Sequence, residues 1–382
     1  MKKIVIPPCV TSREAFNFGQ AINFIYADVL AKFYQLKGDE VEFTPFTWNH
    51  HARRLEERFP EIKSYEEYSR KTGSLREYME KSLHRIGIQK SSGRYEDNNS
   101  EQNKKTQAAL DMLVKNNFAS IKNNTVNINI AEIVKKTKVM EYIDQTKFTP
   151  PKYKLQLMNA LKNNNLFEIT QPATFATEPS EKIIAKIGNQ KIKPIFNLIL
   201  SPQHLTPSNA THIVHGSCSL TRYILDGYII SAGLNDKPFS ENVLTYPLVY
   251  FSEEQGRISQ LLRTWEDPNI IRYAALQYVN RNNSTKMEES QFSTGKKIIT
   301  KLKNLDNFFK TEEINSGQII PLVDKQLKEN KVANAIQTYS ATIRQLSKDI
   351  NQARLDGSMT ILKPQFISEY QNIKQTGKIF FV

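Results

Sequence analysis

One pattern near the start of the chain restricts its fold more than any other. KIVIPP, residues 3–8, is a short apolar run that reads as a buried strand. Pro7 and Pro8 lack an amide donor and are expected to stop it. Residues 20–37 then place Ala21, Ile25, Val29, Phe33 and Leu36 at spacings of three and four, the period of a helix with one buried face, and Gly38 supplies its stop. VEF, residues 41–43, follows as a second strand. A strand–helix–strand unit implies an α/β fold with parallel strands. It puts the turn Asn17-Phe18-Gly19-Gln20 at the carboxyl edge of the sheet, where open α/β sheets bind their ligands.

The alternation of strand and helix is interrupted and then resumes. From about 60 to 165 the chain is charged, Asn-rich and mostly helical in pattern, with SSGRYEDNNSEQNKK (91–105) reading as an exposed loop. KIKPIFNLIL (191–200) and THIVHGS (211–217) are strand-like, LTRYILDGYIISAG reads as a helix ending on Gly233, and VLTYPLVYF (243–251) is a further strand. From 267 onward the pattern is helical, without internal repeats. One α/β domain split by an insertion accounts for this order. It divides into a first half (1–90), a mostly helical connective insertion (91–185), a second half (186–265) and a helical region (266–382).

Composition narrows the function. No apolar run reaches the roughly 18 residues that span a bilayer. MKKIVIPPCV meets two prolines at once and has no small-residue cleavage site, so it reads as the first strand, not a secretion signal. Two cysteines, Cys9 and Cys218, make neither a disulfide framework nor a zinc knuckle, and the expected compartment is the cytoplasm. No metal site is expected. The formal charge of +13 favours a polyanionic partner, or else reflects a generally basic surface.

The stretch PP…FNFGQAINFIYADVLAKFYQLKGDEVEF resembles the nucleotide-binding signature of class I aminoacyl-tRNA synthetases of the leucyl, methionyl, valyl and isoleucyl group. In that family a strand and a proline turn lead into His-x-Gly-His, a long helix ending near Lys-Gly, and a second strand. The resemblance continues in order through TKFTPPKY, LFEITQPATFATEP, the segment THIVHGSCSLTRYILDGYIISAGLNDKPFSENVLTYPLVYFSEEQGRIS, and the helices DPNIIRYAALQYV and TGKKIITKLKNLDNFF. It covers roughly residues 2–310. It implies a Rossmann-like catalytic domain split by an insertion, then a helical stem and shortened anticodon-domain-like helices. ATP or an adenylate with Mg, an amino acid, and tRNA or aminoacyl-tRNA are the implied ligands; zinc and a membrane are not.

The departures from the family pattern fall at charge-handling positions. His-x-Gly-His corresponds to Asn17, Phe18, Gly19 and Gln20, so glycine is kept beside the adenine position while both histidines become amides. An amide donates a hydrogen bond but carries no proton charge to a phosphate. The same two amides have a second reading, as caps of the helix that follows. The Lys-Met-Ser-Lys-Ser loop corresponds to Arg257, Ile258, Ser259, Gln260 and Leu261; KMEES (286–290) looks closer by eye but lies past the helix that follows the loop in the family. The resemblance assigns catalytic roles to Asn17, Gln20, Arg257, Ser259 and Gln260. It assigns nucleotide contacts to Pro8, Gly19, Gly216 and Cys218, and substrate contacts to Cys9, Trp48, Asn49, His51 and Phe175.

Cys218 sits near a helix start, where a thiolate is favoured, and reads either as a nucleophile or as a small buried residue. His50 and His51 read as acid/base groups or as a solvated strand end. Lys296, Lys297, Lys301 and Lys303 lie on one helix as candidate nucleic-acid contacts or as a solvated face. Three functions remain open: a synthetase-like enzyme acting on an aminoacyl group, by weakened ATP-dependent activation or with charged tRNA as donor; a non-catalytic tRNA-binding paralogue; and a small aminoacyl-tRNA ligase of the ordinary kind. The oligomeric state is not legible.

Overall fold

The computed structural model describes residues 1–9, 16–47, 61, 65–88, 100–122, 125–162, 185–187, 190–192, 210–217, 224–235, 238–247, 249–251, 256–277, 285–313 and 317–382. The chain divides into two compact units. One is formed by Met1–Phe16, Glu42–Lys81 and Lys90–Thr245, the other by Asn17–Val41, Ser82–Gln89 and Tyr246–Val382.

The first unit is built on a five-stranded sheet. Strands β1 (Lys2–Cys9), β2 (Val41–Thr47), β5 (Lys147–Thr149), β8 (Ala210–Gly216) and β9 (Ser240–Tyr246) stand in the order β2-β1-β8-β9-β5. The β1–β8 and β5–β9 pairs are parallel, with Ile4 opposite His212 and Phe148 opposite Val243. Every residue of β8 is buried, as expected of a central parallel strand covered on both faces. β1 runs through Pro7 and Pro8 to Cys9 instead of stopping at the prolines, because proline's backbone angle suits an extended chain and only its donor is missing.

The segment between the two halves of the sheet carries helices α2 (Tyr65–Arg85), α3 (Ser100–Lys115), α4 (Ile130–Lys136), α5 (Val139–Gln145) and α6 (Lys152–Lys162), with a hairpin of β3 (Ala119–Lys122) and β4 (Thr125–Ile128). Residues 100–105, read from sequence as loop, belong to α3; Glu101, Gln102, Lys104 and Lys105 are good helix formers. Of the strand expected at 191–200, residues 191–192 lie in the second arm of a hairpin of β6 (Ala185–Ile187) and β7 (Gln190–Ile192), and 193–200 lie outside the described residues. Helix α7 (Asp226–Asn235) continues past Gly233. Leu113, Ile133, Ile143, Leu157, Ile213, Tyr228 and Val243 belong to one continuous core.

The second unit is helical. α1 (Phe18–Leu36) ends at Lys37 with Gly38 at φ +85°, a left-handed stop that glycine adopts without strain. It groups with α8 (Ile258–Trp265), α9 (Pro268–Leu276), α10 (Glu289–Phe308), α11 (Pro321–Lys328), α12 (Val332–Leu355) and α13 (Met359–Phe380), packing on α9 and α13. Two short strands, β10 (Val249–Tyr250) and β11 (Thr285–Lys286), pair in parallel.

A buried charge cluster ties this unit together. Arg272 on α9 is fully buried and donates from Nε to the Phe380 carbonyl (2.7 Å), from Nη1 to the Ile86 carbonyl (3.2 Å) and from Nη2 to the Asp28 carboxylate (2.5 Å). The Lys32 ammonium lies 3.1 Å from the same carboxylate and donates to the Phe381 carbonyl at 3.2 Å. Burial, then the neighbouring Arg272 charge, lowers the Lys32 pKa.

Candidate functional site

The turn that opens α1 is a closed hydrogen-bond unit. Asn17 is the N-cap in extended conformation (φ −104°, ψ 165°), and its side-chain Oδ1 accepts the Gln20 amide at 2.9 Å. In return the Gln20 Oε1 accepts the Asn17 amide at 3.1 Å, completing a capping box. A backbone N–H can only donate, so both side chains must present oxygen to the helix end. The next amide, that of Phe18, donates to the Gly256 carbonyl at 2.8 Å. Of the four amides a helix leaves without internal partners, Gly19 holds the one for which no acceptor is described.

The second turn lies directly against the first. Asn17 forms an isolated antiparallel bridge with Arg257, the N-cap of α8, so two helix starts meet there. Arg257 is exposed and makes no capping bond with its side chain; Ser259 and Gln260 occupy the first turn of α8, and Ile258, just before them, is buried. The Arg257 carbonyl accepts the amides of Gln260 (3.0 Å) and Leu261 (2.9 Å). The Tyr246 hydroxyl donates to the Gly19 carbonyl at 3.2 Å, and the Val249 carbonyl lies 3.5 Å from where a Gly19 Cβ would stand. Gly19 therefore has room for a methyl group at ordinary contact distance. Among the described residues, nothing in the packing demands glycine here.

Gly256 is different. A Cβ at this position would come within 2.8 Å of the Phe251 Cβ, so the close approach of residue 256 to Phe251 depends on glycine. Sequence reading missed both Gly256 and Tyr246; the glycine one residue before Arg257 was the available signal. Beneath the turns lies an aromatic cluster. Phe18 meets Phe251 and Phe292 edge-on at 5.5 and 5.6 Å, and Trp265 stacks on Phe292 at 5.5 Å. Such pairs add about 0.5–1.5 kcal/mol each beyond their buried area. KMEES falls on the end of β11 and the start of α10: Lys286 is on the strand, Met287 is buried in the core, and Glu288 caps the helix.

The remaining expected residues distribute as follows. Pro8 and Cys9 stand at the carboxyl end of β1 and Gly216 at that of β8. Cys218, Trp48, Asn49, His51 and Phe175 lie outside the described residues, as does His50. In β8, the His215 Nδ1 lies 2.8 Å from the Gly216 carbonyl and its Nε2 lies 2.8 Å from the Thr245 hydroxyl. A carbonyl only accepts, so the proton is on Nδ1 and Thr245 donates to Nε2. Complete burial lowers the His215 pKa to about 4, which keeps the ring neutral.

On α10, Lys297 and Lys301 share one face and Lys296 and Lys303 another, by helical spacing. Lys303 is paired with Asp267 at 2.8 Å. Lys301 lines a cavity of about 480 Å³ between α10 and α12, together with Asn304, Phe308, Ser347, Asn351 and Arg354. The Arg354 guanidinium lies 4.6 Å over the Phe308 ring.

A parallel sheet interrupted by an insertion, continued by a helical C-terminal region, and two facing turns at the starts of α1 and α8 define a class I synthetase-like fold. Among solved structures, the chain is similar to Mycobacterium tuberculosis methionyl-tRNA synthetase in complex with methionyl-adenylate: TM-score 0.65, 10% identity, 100% of this chain and 90% of that one. A second structure of that enzyme bound by methionyl-adenylate gives TM-score 0.65 at 9% identity over 99% and 89%. At this identity the likeness shows the fold alone. No family model and no curated protein sequence matches the chain. Among the described residues, no helix is long and apolar enough to cross a membrane.

Proposed function

We propose that the protein is a synthetase-like, tRNA-associated protein that binds an adenosine-bearing ligand at the facing turns 17–20 and 256–260 and handles an aminoacyl group. The observation that carries this is the bridge from Asn17 to Arg257, which brings together the two segments matching the family's nucleotide-binding motifs. The solved neighbours were captured with methionyl-adenylate, which supports an adenylate-shaped ligand here. Among the described residues, Gly19 leaves room beside the turn for a group at ordinary contact distance. The cavity holding Lys301 and Arg354, with Phe308 and three asparagines, has the chemistry to receive a nucleotide segment of RNA: cations for phosphate, amides for base edges, a ring for stacking.

ATP with Mg is the nucleotide that the resemblance implies. The turn suits an adenosine through Gly19, but Asn17 and Gln20 point their oxygens at the helix end, and the donor set does not suit a triphosphate. A second reading, a tRNA-binding protein without catalysis, is favoured by the same capping box. The test is to purify the protein gently from its host and run the bound RNA on an acid gel beside a deacylated control. Charged tRNA supports handling of an aminoacyl group; uncharged tRNA without amino-acid-dependent ATP–pyrophosphate exchange supports the second reading. Absence of RNA refutes both.

A further inference from the structure

We infer that the peptide turn Trp265–Glu266–Asp267 is a strained hinge on which α8 swings as a rigid rod, parting the facing turns at residues 17–20 and 256–260 and closing them again. The hinge concerns the protein's own motion and stands whether or not those turns take an adenosine.

The backbone singles out Glu266. It has φ 58° and ψ −43°, and the Asp267 amide donates across it to the Trp265 carbonyl at 2.6 Å. That is a γ-turn of the rarer hand, which is strained for a residue with a Cβ. At its other positive-φ positions the chain uses residues that tolerate the conformation: Gly38, Gly87, Gly357, Asn117 and Asn330. Among the described residues, Glu266 is the exception. Strain of this kind persists where the surrounding structure imposes it.

Both sides of the turn are held. On the α9 side, Pro268 fixes its own φ and confines Asp267 to extended backbone. Asp267 also accepts the Asn269 amide at 2.9 Å and pairs with Lys303 of α10 at 2.8 Å. On the α8 side, Ile258, Leu261 and Leu262 are buried. The far end of α8 meets the start of α1 through the Asn17–Arg257 bridge and the 2.8 Å bond from the Phe18 amide to the Gly256 carbonyl. Rotation therefore concentrates at Glu266, and the contact at the facing turns keeps it strained. α8 is about 12 Å long, so a rotation of about 20° at its last residue carries Arg257 about 4 Å, enough to break such a bond. Parting the turns relaxes Glu266; closing them restores the buried face of α8. These opposed effects make α8 a two-position element.

The experiment is residue-resolved native-state hydrogen exchange of the full chain. It is read at the Phe18 amide, at the amides inside α8, and at those of Tyr273–Leu276 in α9 as a reference, and repeated on Glu266→Gly, Glu266→Asn and Glu266→Ala. Expected: Phe18 exchanges faster than the amides inside α8, because the rod leaves α1 without unwinding. Glu266→Gly, which adopts positive φ freely, slows Phe18 about tenfold, and Glu266→Asn slows it less. Glu266→Ala keeps a Cβ and leaves the rate as in the parent protein, and the α9 amides stay constant throughout. A Phe18 rate that neither Gly nor Asn slows overturns the strained hinge. One common rate for Phe18 and the interior of α8 overturns the rigid swing in favour of local unfolding. A parallel change in α9 overturns it in favour of a change in overall stability.

Discussion

Among the described residues, the polar groups buried in the sheet-bearing unit are neutral, whereas the helical unit buries charge. Thr146 and Tyr228 share a hydrogen bond of 2.6 Å and both reach the Ser240 carbonyl, and His215 is held as the neutral ring between Gly216 and Thr245. In the helical unit Arg272, Asp28 and Lys32 form a charged cluster whose remaining donors end on the carbonyls of Ile86, Phe380 and Phe381. The difference teaches what each unit depends on. Neutral networks tolerate the loss of one bond but not the gain of a proton. A buried ion cluster tolerates neither partner's removal, since the survivor is left as an unpaired charge in a poor solvent.

The largest effect should come from Arg272→Met. It strands Asp28 with Lys32 and leaves two buried carbonyls without donors, and should lower the stability of the helical unit by about 3–5 kcal/mol in urea unfolding. A loss under about 1 kcal/mol would mean the cluster is solvated and the contrast between the units is false.

Acid should act on the other unit. His212 and His215 are both lowered by burial from 6.5 to about 4, His212 also by the charges of Lys2 and Lys147. Between those values the unfolded chain binds the protons and the folded one does not. The stability they contribute is thus complete above pH 6.5 and drains as pH falls toward about 4, by about 3 kcal/mol for each ring. Hydrogen exchange corrected for its intrinsic pH dependence should show β8 and β9 losing protection from pH 6.5 to 5 while α9 and α12 keep theirs. His215→Asn should flatten the response.

Gly256→Ala sharpens the comparison at the facing turns. The added methyl meets Phe251 and should cost about 1–3 kcal/mol, read as a lower melting temperature together with altered Trp265 fluorescence. The smallest effect is expected from Gly19→Ala. Its Cβ has room, so stability should hold or rise by up to about 1 kcal/mol while adenosine binding weakens. Binding equal to that of the parent protein would show that the glycine serves no ligand.

Much of the helical framework was legible because its signals are local. The start of α1 lies at a polar cap, its face repeats every three or four residues, and Gly38 supplies the positive φ that ends it. The two amides of the turn could be read from sequence as ligand contacts or as caps. Only the structure shows that each accepts the other's amide. Pro7 and Pro8 misled because a proline's missing donor is visible in sequence and the spare length of a strand is not.

The chain by itself thus determined the β1–α1–β2 unit, the helical character of the C-terminal region, and that a glycine turn precedes α1, since backbone preference, capping and periodicity act over a few residues. The tertiary structure alone decided that α1 groups with the C-terminal helices instead of the strands that flank it. It alone decided that Arg272 finds Asp28 across 244 positions, that Gly256 passes Phe251, and that Asn17 meets Arg257. Those pairings follow from burial and shape summed over the whole packed unit, and no stretch of a few residues contains that sum.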